Sequence, residues 1–127
     1  MSKPERPNCS GRLVLVEDDP DVRRSLTLML RARGFSMDQY ASGTELLSTR
    51  VLPIADGLLI DYKLPGINGI ELLGRLRKAG QMAPALMITG FISTTLHARA
   101  AEAGFLDVIE KPSTGQVLVQ RIFDIMA

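Results

Sequence analysis

Short apolar runs alternate with amphipathic segments along most of the chain. The runs that predict strands are Leu13–Val16, Ser36–Tyr40, Gly57–Ile60, Ala85–Ile88 and Asp107–Ile109. Most of them are apolar throughout and too short for a helix, which is typical of strands that are buried on both faces. The pattern therefore predicts five strands separated by helical segments.

The segments between the runs carry the start and stop signals of helices. The first helix begins at Pro20 or Asp21 and ends before Gly34, and its apolar positions recur at helical spacing: Val22, Leu26, Met29 and Leu30. The same signals predict four more helices: a short one entered through Ser42 or Thr44, one with Ile70, Leu73 and Leu76 on one face, Thr94–Ala103, and Ser113–Met126. Residues 1–11 are polar and are predicted to form a flexible tail before a single domain at residues 12–127.

This alternation predicts parallel strands covered by helices on both faces and joined by right-handed crossovers. In open sheets of this kind, ligands bind beyond the carboxyl ends of the strands. The chemically interesting polar residues follow four of these ends: Glu17 and Asp18 after the first strand, Asp61 after the third, Thr89 after the fourth and Lys111 after the fifth. The sequence therefore predicts one functional site at this edge of the sheet.

Composition narrows the classes of function. The net charge is +1, and the chain has four Phe, two Tyr and no Trp, so neither a basic nor an aromatic surface for nucleic acid is indicated. Cys9 is the only cysteine, so no internal disulfide can form. The N-terminal segment lacks the apolar centre of a signal peptide, and no apolar run approaches membrane-spanning length. We therefore expect a soluble, cytoplasmic protein.

The acidic residues at this edge suit a hard divalent cation. Because no Cys or His accompanies Glu17, Asp18 and Asp61, their oxygens favour Mg²⁺ over Zn²⁺. Alternatively, Asp18 or Asp19 caps the first helix and the other acids are solvated. A carboxylate beside Mg²⁺ can attack a phosphoryl group, which makes Asp61 a candidate nucleophile. Lys111 would pair with Asp61 and later with a phosphoryl oxygen.

Four motifs occur in order on this alternation: LVLVEDD, LLIDYKLPGINGIELL, LMITG and VIEKP. Together they resemble the receiver domain of bacterial two-component response regulators, from Arg12 to the C-terminus, and most of all receivers of the FixJ type. The resemblance implies an α/β, flavodoxin-like fold, a doubly wound five-stranded parallel sheet in the order 2-1-3-4-5. It also implies a signalling switch that accepts a phosphoryl group from a sensor histidine kinase or a histidine phosphotransfer protein and slowly dephosphorylates itself.

Carried over by these motifs, the family pattern makes Asp61 the phosphoacceptor. Asp18 and Asp61 would bind Mg²⁺ directly, Glu17 would bind it through water, and the backbone carbonyl of Lys63 would be a further ligand. Lys111 would be the lysine that binds the phosphoryl group. The resemblance thus explains why the acids are tolerated together: a divalent cation and a lysine neutralise them.

The family pattern also makes Thr89 the switch hydroxyl, which normally moves together with an aromatic ring three residues before the lysine. That position is Val108 here, and valine has no ring to move, so the coupling between the threonine hydroxyl and an aromatic ring is in question. Alternatively, the valine simply packs in the same groove. The output surface, toward a partner or a second copy, would lie within residues 94–126, with Leu96 and His97 as candidate contacts.

Two further side chains are expected beside the phosphoryl group. Lys63 and Phe91 each lie two residues after a site residue, where they would affect the lifetime of the acyl phosphate; alternatively, both are ordinary surface residues. Val108 keeps a second class of function open, a pseudo-receiver that acts as a phosphorylation-independent interaction module. The intact set of site residues favours the phosphoacceptor switch.

Overall fold

The computed structural model describes residues 11–90, 92–111 and 115–126. The strands are β1 (Arg12–Val16), β2 (Ser36–Tyr40), β3 (Gly57–Asp61), β4 (Ala85–Thr89) and β5 (Asp107–Glu110). They alternate with the helices α1 (Pro20–Ala32), α2 (Gly43–Leu47), α3 (Gly69–Lys78), α4 (Thr94–Ala103) and α5 (Gly115–Met126). The predicted alternation is confirmed, whereas the predicted tail up to residue 10 and the helix start at Ser113 lie outside the described residues. Within the described ranges, no helix has the length and apolar character needed to cross a membrane.

The strands form one sheet in the order β2-β1-β3-β4-β5, with every neighbouring pair parallel. This is the order that the family resemblance implied. Because all strands point the same way, their carboxyl ends meet at one edge. The register places Asp61 opposite Ile88, one residue before Thr89, so the ends of β3 and β4 are adjacent. The fold itself therefore gathers the predicted site residues.

The apolar core lies on both faces of the sheet, because successive strand residues point to opposite sides. One face carries Val14, Val16, Leu58, Ile60, Ala85 and Met87, which pack against α2, α3 and α4. The other face carries Leu13, Leu15, Leu59, Leu86 and Ile88, which pack against α1 and α5. The central strands β3 and β4 are buried along their whole length, and this explains their continuous apolar sequences.

Side-chain caps start four of the helices at the edge where the strands end. Asp19 accepts hydrogen bonds from the backbone N–H groups of Asp21 and Val22, and Pro20 occupies the first turn of α1. Ser42, Asn68 and Ser93 cap α2, α3 and α4 in the same way. Of the two acids that could cap the first helix, it is therefore Asp19, and Asp18 is left for the site.

Candidate functional site

The carboxyl ends of β1, β3, β4 and β5 open into a cavity of about 610 Å³. Its lining includes every described residue that the sequence assigned to catalysis or metal binding: Glu17, Asp18, Asp61, Lys63, Thr89 and Lys111. Asp19, Val22 and Gly90 complete the lining. The structure thus brings together residues that are up to 94 positions apart in the chain.

Lys111 joins two buried carboxylates at the floor of this cavity. Its Nζ lies 2.9 Å from Oδ2 of Asp61, which confirms the predicted pair, and 2.5 Å from Oε1 of Glu17. Glu17 is 1% exposed and Asp61 5% exposed, so both charges are largely removed from water. A buried carboxylate requires a partner of this kind, and here one ammonium serves two acids.

Burial and pairing shift the pKa values of this group in known directions. Burial raises the pKa of Glu17, and the charge of Asp61 adds to this effect, while hydrogen bonds from Lys111 and from the N–H of Asp19 oppose it. Burial alone would lower the pKa of Lys111, but its hydrogen bonds with Glu17 and Asp61 outweigh that effect, so its pKa is raised. The lysine therefore remains charged at neutral pH and stabilises the two acids.

The raised pKa of Glu17 predicts how stability depends on pH when no metal is bound. The folded state holds the Glu17 proton more tightly than the unfolded state, so the free energy of unfolding should fall as pH rises above the ordinary value of 4.5. Glu17→Gln should remove this part of the fall, because the amide does not titrate. Urea unfolding in EDTA between acidic and neutral pH measures it. An unchanged profile in Glu17→Gln would contradict the prediction.

The site has the donor chemistry of a hard cation. Glu17, Asp18 and Asp61 each offer a carboxylate oxygen, and these oxygens lie within 4.8 Å of one another. Lys111 balances only one of the three charges, so the group keeps an excess of negative charge suited to a divalent ion. Oxygen ligands and the absence of His and Cys from the described lining fit Mg²⁺.

Thr89 is the buried last residue of β4 and lines the cavity. Its carbonyl accepts a 2.7 Å hydrogen bond from the N–H of Lys111, which holds the ends of β4 and β5 together. A Cβ built on Gly90 would meet no atom within 4 Å, so the space beside Thr89 stays open. Val108 is 9% exposed and packs in the core beneath α4, in agreement with the packing alternative for this position.

Some residues that the sequence analysis named as candidates are not where they were predicted to be, or are not described. Phe91 lies outside the described residues. Leu96, a candidate contact of the output surface, is instead buried in the core with 4% exposure, because it is the large apolar residue with which α4 packs on the sheet. His97 is exposed. The placement of Leu96 on the output surface was therefore wrong.

Two residues near the site were missed from the sequence. Arg23 donates from its guanidinium to the backbone carbonyl of Glu17, and Gly69 packs directly against the backbone of Asp61. Arg23 could have been found from its place in the first turn of a helix, because the helix dipole disfavours a basic residue there unless it has another partner. A glycine at the first position of α3 was the signal for Gly69.

A parallel sheet in this order, with clustered acids, a threonine and a lysine at its carboxyl edge, defines a class of signalling domain. The chain belongs to the response regulator receiver family: the model of the response regulator receiver domain matches residues 13–123. Nodulation protein W of Bradyrhizobium diazoefficiens is 31% identical over 85% of this chain and 48% of its own length. The transcriptional regulatory protein FixJ of Rhizobium meliloti is 32% identical over 85% of this chain and 53% of its own length. The chain thus spans about half the length of these curated relatives.

Solved structures show the same fold. A putative response regulator from Chloroflexus aurantiacus superposes with a TM-score of 0.84 at 34% identity, covering 93% of this chain and 98% of that one. A CheY-like receiver domain protein from Methanospirillum hungatei gives a TM-score of 0.85 at 26% identity, covering 93% of this chain and 94% of that one. These likenesses confirm the predicted family and the flavodoxin-like sheet.

Proposed function

We propose that this receiver is a working phosphoacceptor switch, in which Asp61 takes a phosphoryl group from a phosphohistidine. The donor is a sensor histidine kinase or a histidine phosphotransfer protein of a two-component system, acting in the cytoplasm. The observation that carries the proposal is the Asp61 carboxylate, which lies in an open cavity within 2.9 Å of Lys111 and close to Glu17 and Asp18. A nucleophile, charge compensation and space for a phosphoryl group are thus present together.

The chemistry needs one displacement at phosphorus. A carboxylate oxygen of Asp61 attacks the phosphorus atom and forms a P–O bond, while the P–N bond to histidine breaks. The electron pair of that bond stays on the ring nitrogen, and a proton on the other ring nitrogen lets histidine leave as neutral imidazole. The product is an acyl phosphate. Lys111 can then donate to a phosphoryl oxygen instead of to the free carboxylate, and the Thr89 hydroxyl is a second donor. Later attack by water at phosphorus releases inorganic phosphate and restores the carboxylate.

The acids support this step by holding a divalent cation. Glu17, Asp18 and Asp61 would bind Mg²⁺, with the backbone carbonyl of Lys63 as a further ligand. When bound, Mg²⁺ neutralises charge on the phosphoryl oxygens. The chain contributes the nucleophile and the ammonium group of Lys111, both on strand ends that the sheet fixes in place.

Phosphorylation changes the output by a shift between two conformations. It can favour the active one only through contacts that differ between them, and Thr89 and Lys111 are the side chains placed to make such contacts. We place the output surface within residues 94–126, where Leu106, Val117 and Phe123 are exposed apolar side chains that a partner or a second copy would cover. These exposed residues take the place of the buried Leu96 as candidate contacts of the output surface.

Acetyl phosphate provides the direct test. With Mg²⁺, the chain should gain one phosphoryl group by intact mass, the gain should be reversed by hydroxylamine as for an acyl phosphate, and EDTA should prevent it. The reason is that displacement at phosphorus needs both the carboxylate and the cation. A folded chain that gains no mass with Mg²⁺ present would contradict the proposal and favour the phosphorylation-independent interaction module.

A further inference from the structure

Arg23 connects α1 to the loop that carries two of the acids. Its Nη1 donates to the backbone carbonyl of Glu17 at 2.8 Å and contacts that of Asp18 at 3.4 Å. The positive end of the α1 dipole opposes a cation in this first turn, so helix stability does not explain an arginine here. The contacts with the loop do explain it, because they satisfy backbone oxygens that follow directly on a buried strand.

Among the residues that the structure describes, the acids differ in what holds their side chains. The carboxylates of Glu17 and Asp61 both accept hydrogen bonds from Lys111. The Asp18 carboxylate is exposed, so its position depends strongly on the backbone that bears it. That backbone is anchored through the N–H of Glu17, which donates to Tyr40 at 3.0 Å, and through Arg23.

We propose that Arg23 is a positioning residue for the divalent-cation site. The inference rests on the proposed function, since it concerns the cation that the acids would hold. A charged hydrogen-bond donor on two successive carbonyls fixes the orientation of both peptide groups, and therefore the direction in which Asp18 leaves the backbone. The site is then formed before the cation arrives.

The charge of Arg23 acts in the opposite direction from its hydrogen bonds. A guanidinium near a cation site repels the incoming ion, so removing the charge alone would strengthen Mg²⁺ binding. Losing the two contacts with the loop would weaken it. The sign of the change in affinity therefore separates positioning from simple electrostatics.

Arg24 offers a matched control in the next position of α1. It carries the same charge, is exposed, and forms an ion pair with the exposed Asp21 at 3.5 Å. Calorimetric titration of the full chain with Mg²⁺, without a phosphodonor, should show binding about tenfold weaker in Arg23→Met, as when a group that orients a metal ligand is removed. Arg24→Met should bind as tightly as the parent or more tightly.

Amide hydrogen exchange in EDTA gives a second readout that needs no metal. Exchange at residues 17–19 should be faster in Arg23→Met than in the parent, and unchanged in Arg24→Met. If Arg23→Met does not fold, Arg23→Gln replaces it, because its amide is too short to reach both carbonyls. If the Arg23 variant binds Mg²⁺ as tightly as Arg24→Met, the role of Arg23 is wrong but the proposed metal site stands. If the parent itself binds no Mg²⁺, both the metal site and the role of Arg23 are wrong.

Discussion

Asp61→Asn should gain no phosphoryl group from acetyl phosphate under conditions in which the parent is phosphorylated. The amide of asparagine has the shape of the carboxylate but is not a nucleophile toward phosphorus. Asp61 lies at the end of β3 with its Oδ2 2.9 Å from Nζ of Lys111, so the substitution also removes one of the two carboxylates to which this lysine donates. Intact mass after incubation with Mg²⁺ and acetyl phosphate measures the loss, which should be complete.

Asp19→Asn is the matched control for this loss. Asp19 lines the same cavity, but its carboxylate accepts the N–H groups of Asp21 and Val22 as the cap of α1. Asparagine caps helices as well as aspartate does, so this variant should keep its fold and its phosphorylation. If Asp61→Asn still gained a phosphoryl group, Asp61 would not be the acceptor. The same would follow if Asp19→Asn lost phosphorylation while Asp61→Asn kept it.

The sequence predicted the sheet and the place of the site because both depend on local patterns. Apolar runs such as Gly57–Ile60 leave few alternatives to a buried strand, and their alternation with helices implies parallel pairing. Parallel pairing brings all carboxyl ends to one edge. Asp61, Thr89 and Lys111 could therefore be assigned to one site without knowledge of any distance. The strand order itself came only from the family resemblance.

The details of the site depend on contacts that no local pattern contains. Lys111 bonds to Glu17 as well as to Asp61, across 94 residues, and only the folded sheet determines that one lysine reaches both. The orientation of Leu96 was also not predictable, because α4 is rich in alanine and its apolar face is weakly marked. Arg23 was not singled out from the sequence, because its partners are backbone carbonyls, which no side-chain pattern marks.

Gly69 shows how a residue without a side chain can determine the geometry of the site. It is the first residue of α3, and its N–H donates to the carbonyl of Tyr62 at 2.8 Å. A Cβ at this position would lie 2.4 Å from the backbone oxygen of Asp61 and 3.1 Å from the Cα of Tyr62. Both neighbours are backbone atoms at the end of a buried strand, so neither can move without shifting Asp61.

Gly69→Ala should therefore lower the free energy of unfolding by about 3 kcal/mol, the upper part of the range for overpacking a rigid site. Gly74→Ala is the control on the same helix, since a Cβ there meets nothing within 4 Å. It should instead raise the free energy of unfolding by about 0.5–1 kcal/mol, because alanine is the better helix former. Urea unfolding of both variants measures the difference, and equal stabilities would contradict the predicted contact.

The same pair of variants shows whether Gly69 matters only for stability or also for the rate at which Asp61 is phosphorylated. If the α3 start sets the position of Asp61, Gly69→Ala should be phosphorylated more slowly than Gly74→Ala at a temperature where both are folded. The reason is that a displaced strand end moves the nucleophile away from Lys111 and from the other acids. A destabilised Gly69→Ala with the parent's rate of phosphorylation would mean that the close contact serves packing alone, and that Asp61 keeps its position through the sheet and Lys111.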